Sequence, residues 1–214
     1  MKKIGEGYHY IVYDLGNGRV LKKQKSKFRI FVHILFVNSF LPRAFREYKN
    51  ALNNIRQTEI INKEIQERFS NLRMFGNPVF LHGIDYEQDK VTIFKEILKS
   101  SSREQLKVYI NAYVMIIHEL WKHGCHEKVF NFTINTGIEK DDSFVLIDFN
   151  EISFEKADVL ADITNETWKH RWSFTHLWLL FSSKEIQEFY AKRMREELTV
   201  DNLESLWEIN LTKK

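Results

Sequence analysis

Asp148 closes the apolar run Val145-Leu146-Ile147 and is followed by Phe149 and Asn150. A carboxylate at the end of a buried strand loses hydration and needs a compensating group, for which a metal ion is one choice. Asn131 stands seventeen residues earlier, just after a histidine-rich loop. An amide oxygen and a carboxylate across a short hairpin can hold Mg²⁺ while leaving its other positions to phosphate oxygens. Near the start, Gly5-Glu6-Gly7 offers backbone amides that a phosphate could approach closely. Lys22 ends the short apolar strand Arg19-Val20-Leu21, and Glu47 lies on the helix that follows. The same residues also admit a plainer account: an exposed ion pair for Lys22 and Glu47, and a turn-stabilising hydrogen-bond network for Asn131 and Asp148. His118, His123, Cys125 and His126 match no zinc spacing, so structural or solvent-facing roles are expected of them.

The elements that must position these groups follow from turn residues and periodicity. Residues 3–13 and 19–23 are expected as strands joined by Leu15-Gly16-Asn17-Gly18, an Asn-Gly hairpin turn. Pro42 can open a helix carried by Ala44, Phe45, Tyr48, Leu52 and Ile55, and a second charged helical segment is expected over 60–68. Gly76-Asn77-Pro78 breaks that pattern. Strands are expected over 79–86 and 90–98. Ser102 and Gln105 form a capping-box pair ahead of the stripe Leu106, Ile110, Tyr113, Ile117 and Leu120, with Gly124 as the stop. Residues 130–134 and 143–147 are expected as a second hairpin, and helices thereafter. Trp168, Trp172, Phe174 and Trp178 have the spacing of a helix core. Strands, helix, strands, helix, hairpin and helices in that order indicate an α+β protein, not alternating βαβ units.

With 214 residues the chain can bury a core as one domain or two packed lobes. Its single cysteine, Cys125, excludes an intramolecular disulfide, and no signal-like run follows Lys2 and Lys3, so a cytoplasmic protein is expected. Net charge is only +3, yet residues 1–50 hold 11 Lys and Arg against 3 Asp and Glu. That asymmetry suits an anionic ligand as well as a solvated basic face, and it does not firmly imply nucleic acid. The apolar stretch 28–41, from Phe28 to Leu41, is too short for a membrane span. Its apolar residues lie nearly all round the helix, which favours burial or a partner or dimer contact over a membrane-surface helix.

Taken in order, these residues resemble the protein-kinase-like superfamily, including aminoglycoside phosphotransferases and short bacterial kinase-like proteins, over nearly the whole chain. The resemblance implies a two-lobed fold, with an N-lobe over 1–98 and a helical C-lobe over 99–214. It implies ATP and Mg²⁺ as cofactors and a small-molecule or protein hydroxyl as acceptor. Gly5 and Gly7 would belong to the glycine-rich loop, Lys22 would contact phosphate, Glu47 would orient Lys22, and Asn131 and Asp148 would hold the metal. Residues 92–98 would lead to the adenine-reading hinge. Tyr10 replaces the loop's third glycine, Asn150 replaces the glycine after Asp148-Phe149, and no Ala-Pro-Glu segment exists, the only prolines being Pro42 and Pro78. His126 stands where the catalytic aspartate is expected, with Glu127 beside it; these two are the candidate catalytic residues. The implied function is an atypical, slow phosphotransferase or, alternatively, a pseudokinase acting as a nucleotide-responsive binding module.

Overall fold

The computed structural model describes residues 1–7, 9–37, 41–98, 100–169 and 183–207. The protein is α+β, and its backbone contacts divide it into two compact units, Met1–Lys90 and Val91–Lys214.

The first unit is built on a five-stranded antiparallel sheet in the order β1-β2-β3-β5-β4. Its strands are β1 (Lys2–Glu6), β2 (Tyr10–Asp14), β3 (Arg19–Gln24), β4 (Val79–Phe80) and β5 (Tyr86–Asp89). The expected Asn-Gly hairpin joins β2 to β3. Gly16 and Gly18 both take φ of 82°, and Asp14 Oδ1 accepts from the Gly16 amide at 2.8 Å. Residues 3–13 are two strands and not one, because the chain reverses after Glu6, where the Gly7 amide donates to the Tyr10 carbonyl at 2.9 Å. The expected strand 79–86 is likewise interrupted by a turn containing Gly83 at φ of 64°. Its Asp85 carboxylate accepts from the Gln24 amide at 2.6 Å.

Between β3 and β4 lie α1 (Lys27–Val37) and α2 (Leu41–Arg68). The two expected helical segments are a single helix of 28 residues, α2. Its buried residues Ala51, Ile55, Thr58, Asn62, Ile65 and the following Phe69 keep one register across the polar patch at Arg56. Helical spacing maintained on both sides of a charged stretch leaves that stretch on the solvent side without ending the helix.

The second unit holds a three-stranded antiparallel sheet of β6 (Thr92–Ile93), β8 (Thr136–Ile138) and β9 (Phe144–Leu146), in the order β6-β8-β9. A two-stranded ladder pairs β7 (His126–Glu127) with β10 (Ile152–Ser153). The helices are α3 (Phe94–Ile97), α4 (Arg103–Lys122), α5 (Phe132–Asn135), α6 (Lys156–Thr164), α7 (Lys184–Glu197) and α8 (Val200–Trp207). The α4 capping box forms as its sequence dictates: Ser102 Oγ accepts from the Gln105 amide at 3.2 Å, and Gln105 Oε1 accepts from the Ser102 amide at 2.9 Å. All five stripe residues of α4 are buried, and Gly124 follows the helix at φ of 64°.

Three local expectations are corrected here. The expected strand over 90–98 keeps only Thr92 and Ile93, because Phe94 turns inward onto Phe132 (ring centroids 4.7 Å), Tyr109 and Phe144 and begins a helical turn. Residues 132–135 are helical, with Asn131 O accepting from the Asn135 amide at 2.8 Å, so the hairpin's first strand begins at Thr136. The chain beyond Asn150 is not purely helical, since β10 returns to pair with β7. Trp168 is buried in the core of this unit; Trp172, Phe174 and Trp178 lie outside the described residues.

Candidate functional site

In the first unit Lys22 sits on the third strand, opposite Val12 on β2 and Tyr86 on β5. Alternation along β3 turns Val20 and Lys22 to the buried side, and the ammonium lies 5.2 Å from the centroid of the Tyr86 ring. That placement suits a cation over an aromatic face. Glu47 is on the second turn of α2, with Arg46 Nε at 3.9 Å.

Gly5 and Gly7 stand at the β1–β2 reversal. Neither takes a positive φ. A Cβ at Gly5 would meet Val12 at an ordinary 3.7 Å, and one at Gly7 would meet nothing within 4 Å. The unit's own packing therefore does not demand glycine at either position. Between them Glu6 is a centre of charge. Lys3 bonds to it, Lys25 Nζ lies 2.9 Å from Oε1, and Arg29 Nη2 lies 3.2 Å from Oε2. These partners, Lys3 foremost and then Lys25, hold the Glu6 carboxyl down at about 2.

In the second unit a closed ring of backbone brings the histidine loop and the Asp148 turn together. At one end β7 pairs with β10, Glu127 opposite Ile152, and the Lys128 amide donates to the Glu151 carbonyl at 3.3 Å. At the other end the Asn135 carbonyl accepts from the Ile147 amide at 2.7 Å and the Asp148 amide at 3.2 Å. Asn131 lies midway along one side of this ring, and Asp148 starts the other. The Asn131 Oδ1 is buried with no hydrogen-bond partner among the described residues. Asp148 Oδ1 accepts from Asn150 Nδ2 at 2.6 Å. An orphaned amide oxygen and a carboxylate with capacity to spare are hard oxygen donors, which fit Mg²⁺.

His126 and Glu127 are fully buried. The Trp121 indole N–H can only donate, so His126 Nδ1 accepts from it, at 3.2 Å; Nε2 then carries the proton and donates to Asp162 Oδ2 at 2.9 Å. In this arrangement the ring has no lone pair left for a substrate proton. Glu127 Oε2 accepts from the Tyr113 hydroxyl at 2.6 Å and the Phe130 amide at 2.8 Å, while Oε1 accepts from the Val129 amide at 3.2 Å. Burial outweighs these bonds and pushes the Glu127 carboxyl up to about 7; burial also raises the hydroxyls of Tyr113 and Tyr190. Phe130, immediately before Asn131, has φ of 49°. A bulky side chain in the left-handed region is strained and persists only where its surroundings hold it. The Glu127 carboxylate is that hold.

Tyr113, Trp121, Asp162 and Phe130 thus join the site without having been singled out in the sequence. Tyr113 was legible only as part of an apolar stripe, and Asp162, 36 residues beyond His126, carries no local signal. His118 Nε2 contacts the Glu197 carbonyl at 3.1 Å, and Cys125 Sγ contacts the His123 carbonyl at 3.3 Å. Among the described residues no group of three His, Cys, Asp or Glu side chains is placed to bind a metal. Comparison with known proteins finds no family model and no curated protein that matches the chain.

Proposed function

We propose that the protein is an atypical, two-lobed kinase-like protein that binds Mg²⁺ and ATP and transfers phosphate slowly to a small-molecule or protein hydroxyl. The observation that carries this is the backbone ring on whose two sides Asn131 and Asp148 stand, together with the buried Asn131 oxygen that has no hydrogen-bond partner among the described residues. Asn131 and Asp148 would hold the metal, which would neutralise phosphate charge. The first unit supports the same reading: Lys22 is on the third strand and Glu47 on α2, the second helix after it, an order that a phosphate-binding lysine and its partner could use with α1 as an insertion between them. Gly5 and Gly7, free of steric duty in their own unit, leave room for phosphate oxygens to approach.

Transfer is slow because the two candidate bases are spent on structure. His126 is held between Trp121 and Asp162, and Glu127 between Tyr113 and two amides. Phosphoryl transfer relies chiefly on alignment and electrostatics, so loss of the base lowers turnover more than binding. This also favours the second proposal, a pseudokinase whose nucleotide regulates a partner. The test is Mg²⁺-dependent thermal stabilisation by ATP in the wild type, Lys22→Ala and Asp148→Ala, together with γ-phosphate transfer. Stabilisation lost in both variants is the expected result. No stabilisation of the wild type would remove the nucleotide site, and brisk transfer abolished by His126→Ala and Glu127→Gln would restore those residues as catalysts.

A further inference from the structure

We propose that the outer face of α1 docks on the surface of an anionic lipid bilayer without crossing it. The helix has two apolar faces with different fates. Ile30 and Ile34, each 1% exposed, point into the first unit, whereas Phe28 is 76% and Phe36 87% exposed on the opposite side. The two rings are eight residues apart, about 12 Å along the axis at 1.5 Å per residue. Half-buried Val32 and Leu35 lie between them on the same side. Phe45 of α2, 58% exposed, extends the patch, held there by Phe31 at 5.6 Å between ring centroids. Soluble surfaces carry isolated apolar residues freely, but a contiguous aromatic patch marks something that covers it.

Charge identifies the occupant. From Arg19 to Asn50 the chain holds nine Lys and Arg against a single acid, Glu47. Lys23, Lys27, Arg43 and Lys49 among them are exposed, and Arg29 and Arg46, also exposed, are paired with Glu6 and Glu47. A second copy of this surface would bring the same positive charge against itself, whereas an anionic bilayer offers headgroups for the cations and an acyl boundary for the phenylalanines. Apolar and cationic groups together provide the two signals that reversible membrane attachment requires. Among the described residues no helix is long and apolar enough to cross a membrane, and α1, at eleven residues, would lie in the interface plane. This inference does not depend on the nucleotide site.

The experiment is sedimentation of the full chain with vesicles of phosphatidylcholine alone or mixed with phosphatidylglycerol. Binding is expected to the mixed vesicles only and to weaken as salt rises. Phe28→Ser with Phe36→Ser should weaken it by at least about tenfold, since one buried phenylalanine is enough for that factor. Lys23→Glu with Lys27→Glu should weaken it at low salt while leaving the thermal transition in place. No binding to mixed vesicles, or equal binding by the phenylalanine variant, overturns the proposal. Self-association abolished by that variant would assign the face to a second copy, and phenylalanine-dependent binding to polyglutamate in preference to vesicles would assign it to an acidic protein; either overturns it as well.

Discussion

Two glutamates hold loops in this molecule by opposite physics. Glu6 is at the surface of the first unit, surrounded by Lys3, Lys25 and Arg29, and is pulled down to about 2. Glu127 is buried in the second unit, bonded to a tyrosine hydroxyl and two amides, and is pushed up to about 7. The first loop is tied by charge that salt and solvent attenuate. The second is tied by hydrogen bonds whose strength depends on exclusion of water. A loop tied by surface charge would yield to a competing anion, such as the ligand proposed above, whereas a loop that keeps a strained Phe130 beside Asn131 suits the second design.

Removing the buried carboxylate gives the largest expected effect. Glu127→Ala leaves the buried Tyr113 hydroxyl, the buried Phe130 amide and the part-buried Val129 amide without an acceptor, a loss of about 3 kcal/mol. Urea unfolding followed by tryptophan fluorescence isolates this unit, because all five tryptophans, from Trp121 to Trp207, lie in it. A loss below about 1 kcal/mol would mean that the network does not hold the loop.

Proton linkage sharpens the contrast, because the two groups have opposite signs. The folded value for Glu127 exceeds the ordinary 4.5, so the native state binds the extra proton. Its contribution to stability is present below pH 4.5 and is lost as pH rises through 7, by about 3 kcal/mol in all. Glu6 does the reverse: its contribution is present above pH 4.5 and is lost as pH falls towards 2. Glu127→Gln should flatten the tryptophan-detected slope between pH 5 and 8, a window taken from its shift, while leaving amide exchange in the first unit unchanged. An unaltered slope would refute the assignment.

The glycines offer a third contrast. A Cβ at Gly137 would stand 2.3 Å from Val91 Cγ2 and 3.0 Å from the Thr92 carbonyl. Gly137→Ala should therefore force β6 away from β8 and destabilise by about 1–3 kcal/mol in thermal melts. Gly7→Ala should leave the melting temperature within experimental error and weaken only ATP-dependent stabilisation. Trp121→Phe removes the donor to His126 and part of a fully buried ring, and is expected to cost about 1–3 kcal/mol in thermal melts, similar to Gly137→Ala. Glu6→Gln should have the smallest effect, detectable in amide exchange of the first unit at low salt and absent at high salt.

Local chemistry was enough for the residues that govern their own neighbourhood. The Asn-Gly turn, the Ser102–Gln105 box, the stripe of α4 and the stop at Gly124 all form where residue type and spacing place them, since each depends on contacts within a few positions along the chain. The α+β class was legible for the same reason. Segments of ambiguous propensity were decided by tertiary packing: Phe94 turned an expected strand into a helix by joining Phe132 and Phe144, and the buried register of α2 carried it across Arg56. The candidate site divides along that line. The residue types of Lys22, Glu47, Asn131 and Asp148, on which the proposed phosphate and metal chemistry rests, are legible in the sequence itself. That Glu127 and His126 are bound up with Tyr113, Trp121 and Asp162 depends on burial and on contacts up to 36 residues distant, which no local pattern encodes. The outward turn of Phe28 and Phe36 was likewise invisible in a helix apolar on every side, because only the packing of Ile30 and Ile34 selects which face meets the core.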